Sequence, residues 1–389
     1  MIFSTAKQEL IRKEFNHLST NYFNTAYFGP TPYRAKQKLS NALFKELDPS
    51  FFPFHSWMGI PDRIRSKIAH LLKVFPNQLA LGTSTSDFMS MIANHYPIGS
   101  AGIHVVTLNG EYPSSVLPWM VAREYRKGIH LHLLDAPEKS GDLLNIAWLE
   151  KNLPANANVV CLSHVQFDTG RCFNLREVAA YLKNRNIFFI LDATQSLGGI
   201  KISQDDLTNV DVMCCSTYKW FLGPYGQAFA YFSSHALDII PHNCGNWQVS
   251  PNSREVTNLT NYTKETLPGA RKFDRGQAPN MLANSCLEAS LEIFEELTLD
   301  DIQNHNAEIR NYFLSQLSLT KFELVTPRDP DSLSNIVAIK TKTIDPNILE
   351  AELKHRNIDV SVREGKVRMS FHLFNTKKQV ETLLEALET

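Results

Sequence analysis

The 389-residue chain has no C-x-x-C pair, and its six cysteines (Cys161, Cys172, Cys214, Cys215, Cys244 and Cys286) are scattered. Structural zinc needs ligands at short spacing, so that class of site is excluded. Cys161, Cys214 and Cys215 lie in apolar runs and read as buried free thiols of a reducing compartment. G-x-x-x-x-G-K-[ST], H-E-x-x-H and G-x-G-x-x-G are also missing, which removes the P-loop, zinc-hydrolase and dinucleotide-binding readings. Neither sign of charge dominates, with 39 basic against 40 acidic residues, so no footprint for nucleic acid or an anionic membrane is present. No apolar run is long enough to span a bilayer, and Lys7, Glu9, Arg12, Lys13 and Glu14 interrupt the first segment, leaving no signal-peptide block. A soluble, cytoplasmic protein is expected.

What is present has a regular grammar. From about residue 78 to 232, the apolar runs "QLALG", "IHVVTL", "IHLHLL", "NVVCLS", "IFFIL", "DVMCCS" and "QAFAYF" alternate with amphipathic stretches. Near-continuous apolar strands separated by helices predict an α/β domain whose mostly parallel sheet is covered on both faces. After about residue 270, helical stretches give way to "KFELV", "NIVAIK", "IDVSV" and "KVRMSF", the pattern of a smaller α+β domain. The expected division is an N-terminal segment 1–25 packing with the small domain, a large domain 26–265 and a small domain 266–389, with polar residues 243–269 as the connection.

In such sheets ligands bind beyond the carboxyl ends of the strands, so function is sought where each run stops. After "LALG" come Thr83, Ser84, Thr85, Ser86 and Asp87, hydroxyls and free N–H groups at a helix start that suit a phosphate. Ser84-x-x-Asp87 also fits a simple capping box. After "IFFIL" comes Asp192, a carboxylate ending a buried strand, followed by Thr194, Gln195 and Ser196. After "DVMCCS" comes Lys219, an amine costly to dehydrate unless it has a partner or a chemical task. A lysine for imine formation, a carboxylate for a pyridine nitrogen and a phosphate site together are what pyridoxal 5'-phosphate requires.

On these residues the chain resembles the class V aminotransferase group of fold-type-I pyridoxal-phosphate enzymes, which includes cysteine desulfurases, isopenicillin N epimerase-like proteins and kynureninases. The segments "YFNTAYFGPTP", "GTSTSDFMSMIAN", "EYPSSVLPW", "LSHVQFDTG", "LDATQSLG", "STYKWFLGPYG", "KFDRGQAPN" and "VRMSFHLFNT" match family blocks in order. The resemblance implies a large domain with a seven-stranded sheet and a smaller C-terminal domain. It implies that Lys219 holds the cofactor and shuttles the proton, that Asp192 holds the pyridine nitrogen, and that Gln195 lies near the ring hydroxyl. It further implies Thr85, Ser86, Ser216 and Tyr218 as phosphate ligands, Tyr112 stacked on the ring, and Arg368 gripping a substrate carboxylate. Gln277 stands where the group's threonine reaches the partner subunit's phosphate, which implies a homodimer with its active site at the interface.

Departures narrow the chemistry. Cysteine desulfurases carry a nucleophilic cysteine before the arginine strand, whereas no cysteine follows Cys286 here. Where desulfurases have an asparagine after the "SHV" strand, this chain has Gln166-Phe167. Aromatic residues Tyr27, Phe28, Phe52, Phe54 and Trp57, with His55, line a substrate pocket or pack a domain junction. The resulting expectation is an aminotransferase acting on a small amino acid. An epimerase or β-lyase remains open, as does a binding scaffold whose catalysis has lapsed.

Overall fold

The computed structural model describes residues 3–46, 48, 50, 58–137, 144–241, 245–275 and 280–388. In chain order its strands are β1 (Asn21–Tyr22), β2 (Leu79–Gly82), β3 (Ile103–Asn109), β4 (Ile129–Asp135), β5 (Val159–Ser163), β6 (Phe188–Asp192) and β7 (Val212–Ser216). They continue with β8 (Ala228–Phe232), β9 (Phe322–Leu324), β10 (Ile336–Thr341), β11 (Ile358–Asp359), β12 (Ser361–Arg363) and β13 (Lys366–Ser370). No helix among the described residues is long and apolar enough to cross a membrane.

The seven runs expected from the sequence form one sheet, in the order β2-β8-β7-β6-β5-β3-β4. Neighbours from β7 through β4 are parallel, while β8 runs antiparallel to both β7 and β2. Parallel strands need a crossover of a dozen or more residues. The connection 217–227 is too short to provide one, so the chain turns back and holds Lys219 just past the end of β7. Strands β5 to β8 are buried at every position because apolar groups cover both faces, which is why their sequences do not alternate.

The register places the functional strand ends side by side: Ser163 pairs with Asp192, and Ala228 lies between Ser216 on one side and Gly82 on the other. Gly82 is required there, since a Cβ would stand 2.7 Å from the Phe88 ring. Ser84 caps the helix that follows, Thr85–His95, by accepting the Asp87 N–H at 3.1 Å.

A second, antiparallel sheet, β12-β13-β10-β9, forms the smaller unit with its own core around Phe313, Val337 and Leu383. The change of core falls inside the helix Leu299–Gln316, later than residue 266: Leu299 and Ile302 pack with the large sheet, whereas Ile309 and Phe313 pack with the small one. Segment 245–275 also packs on the large domain, with Phe273 against Phe232 at 4.6 Å between ring centres. Arg65, almost wholly buried, pairs with Asp274 at 2.7 Å, and Asp274 also accepts the Leu81 N–H at 2.8 Å. The N-terminal segment touches both cores, Phe15 the large one and Phe23 the small one, and β1 pairs in parallel with β11.

Candidate active site

The carboxyl ends of β2, β5, β6 and β7 open into a cavity of about 380 Å³. Thr85, Ser86, Tyr112, Asp192, Gln195, Ser216, Tyr218 and Lys219 all line it, so eight residues singled out in the sequence meet in one place. Gln277, His55, Phe52, Phe54, Trp57 and Cys244 lie outside the described residues. The five described cysteines are buried and none lines the cavity.

Lys219 is only 5% exposed, and its Nζ stands 5.2 Å from the Tyr112 ring centre and 5.5 Å from that of Tyr218. Its amine has no hydrogen-bond acceptor among the described residues. Burial and the nearby Arg368 charge bring its pKa down to about 7, against the opposing pull of Asp192. A substantial neutral fraction at neutral pH makes the amine a nucleophile. The backbone beneath it is clamped. Gly29 donates its N–H to the Tyr218 carbonyl at 2.8 Å, and a Cβ at Gly29 would meet the Lys219 carbonyl oxygen at 2.0 Å.

Asp192 sits on the cavity wall with its Oδ1 accepting the Thr194 N–H at 2.8 Å. Burial raises its pKa, while Thr194 and Lys219 pull the other way. Behind it lies a second buried carboxyl that the sequence reading did not pick out. Glu111 accepts the Ser163 N–H at 2.9 Å, the Ser163 hydroxyl at 2.5 Å and the Gln166 amide at 2.9 Å. Burial raises its pKa, and the Asp192 charge adds to the rise. Gln166 is thereby turned away from the cavity, which Val165 and Phe167 line instead.

At the other end, Thr85 and Ser216 hydroxyls lie 2.9 Å apart, and Thr85 meets the Thr194 hydroxyl at 3.0 Å. Thr194 also accepts the Ser216 N–H at 3.2 Å, so it joins the carboxylate end of the cavity to the hydroxyl end. Ser86 pairs with Ser114 at 2.7 Å. The N-terminus of the helix Thr85–His95 faces this space, an environment suited to an anion. Gln195 uses its amide mostly for structure, donating to the Ala26 carbonyl at 3.0 Å and accepting from Trp220 at 3.1 Å. Tyr218 stacks on Tyr225 with ring centres 4.2 Å apart, and burial raises its phenol pKa.

Arg368 does not line the cavity but lies behind Phe167, whose carbonyl accepts its Nη1 at 2.6 Å. It is 2% exposed, and its Nε and Nη2 have no partner among the described residues. Burial and the Arg363 charge lower its pKa to about 9. Unpartnered guanidinium N–H groups in the interior call for an anion.

The residues fit a phosphorylated aromatic aldehyde: an amine without a partner, a buried carboxylate, an aromatic ring beside the amine, and hydroxyls at a helix start. The family model "Aminotransferase class-V" matches residues 56–383. The chain is 25% identical over 341 residues to a "Probable cysteine desulfurase" of Pyrococcus abyssi, covering 83% of this chain and 81% of that one. It is 22% identical over 323 residues to the "Uncharacterized aminotransferase YcbU" of Bacillus subtilis, covering 83% and 82%. Its fold matches a C-DES mutant with glycine covalently linked to the PLP cofactor at a TM-score of 0.85, with 16% identity and coverage of 97% and 98%. With this match over most of its length, and with amine, carboxylate and anion site on neighbouring strand ends, the chain belongs to the class V aminotransferase family.

Proposed function

We propose that this chain is an aminotransferase acting on a small amino acid, with Lys219 as its attachment point and proton carrier and Arg368 as its carboxylate receptor. The cofactor is pyridoxal 5'-phosphate, as in the family at large. When bound, it supplies an electron sink that acidifies the substrate's α C–H. The observation that carries the reading is the buried, unpartnered Lys219 amine sharing one cavity with Asp192, with unpartnered Arg368 N–H groups behind. In this reading Asp192 holds the ring nitrogen, Tyr112 flanks the ring, and Thr85, Ser86 and Ser216 receive the phosphate. Lys219, freed by the incoming amino group, takes and returns the α-proton. Persulfide chemistry on a cysteine of the arginine-strand hairpin has no support, because residues 358–370 contain none.

A homodimer is part of the proposal. Leu117, Val121 and Tyr125 recur at helical spacing, 52%, 57% and 61% exposed, on the helix Pro113–Tyr125. They border a groove that shares Ser86, Tyr112 and Ser114 with the cavity, so a second copy seated there would close the site.

The test uses purified protein loaded with the cofactor and a panel of amino acids without keto acid, followed by absorbance. Accumulation of the pyridoxamine form supports transfer. Cα deuterium exchange without that form supports epimerisation, and release of a leaving group with a keto acid supports a lyase. A Lys219→Ala variant is expected to lose borohydride-fixable cofactor and turnover. Full activity in that variant would overturn the mechanism.

A further inference from the structure

The hairpin that carries Arg368 sets more positive charge close behind the cavity than one carboxylate neutralises. In its register Ser361 pairs with Arg368 and Arg363 with Lys366. Cross-strand partners share a face of the sheet, as do residues two apart, so Arg363, Lys366 and Arg368 project from the same face. Lys366 is matched by Asp168 at 2.8 Å. Arg368 keeps two N–H-bearing nitrogens unpartnered. Arg363 donates Nη1 only to its neighbour's carbonyl, Val362, at 2.7 Å, and has no carboxylate partner among the described residues.

The place where Arg363 rests is informative. Its guanidinium lies over the Tyr27 ring, 5.5 Å from the centre. Tyr27 belongs to the segment tied to the Lys219 loop through Gly29 and to the cavity wall through the Ala26–Gln195 bond. Arg363 does not itself line the cavity; it rests on Tyr27, in the segment that backs the Lys219 loop. Its charge lowers the pKa of both Lys219 and Arg368, as expected for cations sharing one poorly screened space.

We propose that Arg363 receives a second anionic group on the substrate, so that the amino acid taken by this site is acidic in its side chain. The inference rests on the amino-acid-enzyme reading above and names its substrate class. Arg368 takes the α-carboxylate, while Arg363 swings from the Tyr27 face to meet a side-chain carboxylate or sulfinate as a fork. Such a charge-assisted pair supports about tenfold or greater discrimination over a neutral isostere.

The experiment titrates the holoenzyme with aspartate, asparagine, glutamate, glutamine and alanine by cofactor absorbance. It also titrates succinate against butyrate by calorimetry, as probes that cannot react. The expected result is about tenfold tighter binding of acid over amide and of succinate over butyrate. In Arg363→Gln these ratios should fall to near one while alanine affinity holds, and Arg363→Lys should restore part of the preference. No acid preference in the wild type, or equal losses for alanine and aspartate in Arg363→Gln, would overturn the proposal. If alanine reacts without any acid preference, the Arg363 role fails and the aminotransferase reading stands. If no amino acid reacts but succinate still outbinds butyrate, the aminotransferase reading fails and the anion receptor stands.

Discussion

Lys219 occupies a position that takes away much of its charge. Its pKa of about 7 lies well below the ordinary lysine value, chiefly through burial. Attachment of the cofactor to apoprotein requires the neutral amine, so its rate should rise with pH through about 7 and level off above. Stopped-flow absorbance across pH 5.5–9 (about three and a half units, enough to bracket the midpoint) checks this, and a rate still climbing steeply at the upper end would contradict it. The same shift sets a stability slope. Above pH 7 the unfolded chain still holds the lysine proton that the folded one has lost, so apoprotein stability should rise with pH relative to Lys219→Met.

Thr194 shows the limit of reading residues singly. Its position after Asp192 was visible, but its bonds to Thr85 and Ser216 join residues 109 and 22 positions away and leave no local pattern. Thr194→Val should lower stability by roughly 1–3 kcal/mol and weaken cofactor binding, because it leaves buried polar groups unsatisfied. Equilibrium unfolding and cofactor titration measure the two effects. Glu111 and Arg363 escaped for the same reason, since a lone charge beside a strand has the same appearance whether it is solvated or buried.

Elements were far more legible than partners. The apolar runs ending at Ser163, Asp192 and Ser216 announced buried parallel strands because both faces are covered and alternation is lost. The reversed direction of β8 follows from a connection length rather than from its own residues. The polar stretch 243–269 reads as a connection, and Asn246 within it donates to the carbonyl of Asp274, just beyond its end. Asp274→Ala leaves the Arg65 guanidinium buried and unmatched beside β2, and should cost about 3–5 kcal/mol. Chemical denaturation of the variant checks this. A loss below 1 kcal/mol (roughly the scale of an exposed pair) would mean that water reaches the pair.

At the scale of the whole molecule, the helix Pro113–Tyr125 leaves Leu117 and Val121 exposed, while Tyr125 donates its hydroxyl to Asn94 in the same groove. Replacing Leu117 and Val121 together by glutamate should shift the protein from dimer to monomer in sedimentation and weaken cofactor retention, since the same groove adjoins the cavity. A wild-type protein that sediments as a monomer would remove the interface from the proposal. The pattern of the sequence changes after residue 270, whereas the change of packing partners falls inside a continuous helix, where Leu299 and Ile309 are equally apolar and only packing tells them apart.

The pairing of β1 with β11 has a temporal meaning. A nascent chain can assemble the central strands early, but the segment that clamps the Lys219 loop gains its own strand partner only once residue 359 has left the ribosome. Until then the clamp beneath the Lys219 loop lacks its anchor in the small unit, so the loop is fully braced only after most of the chain has been made.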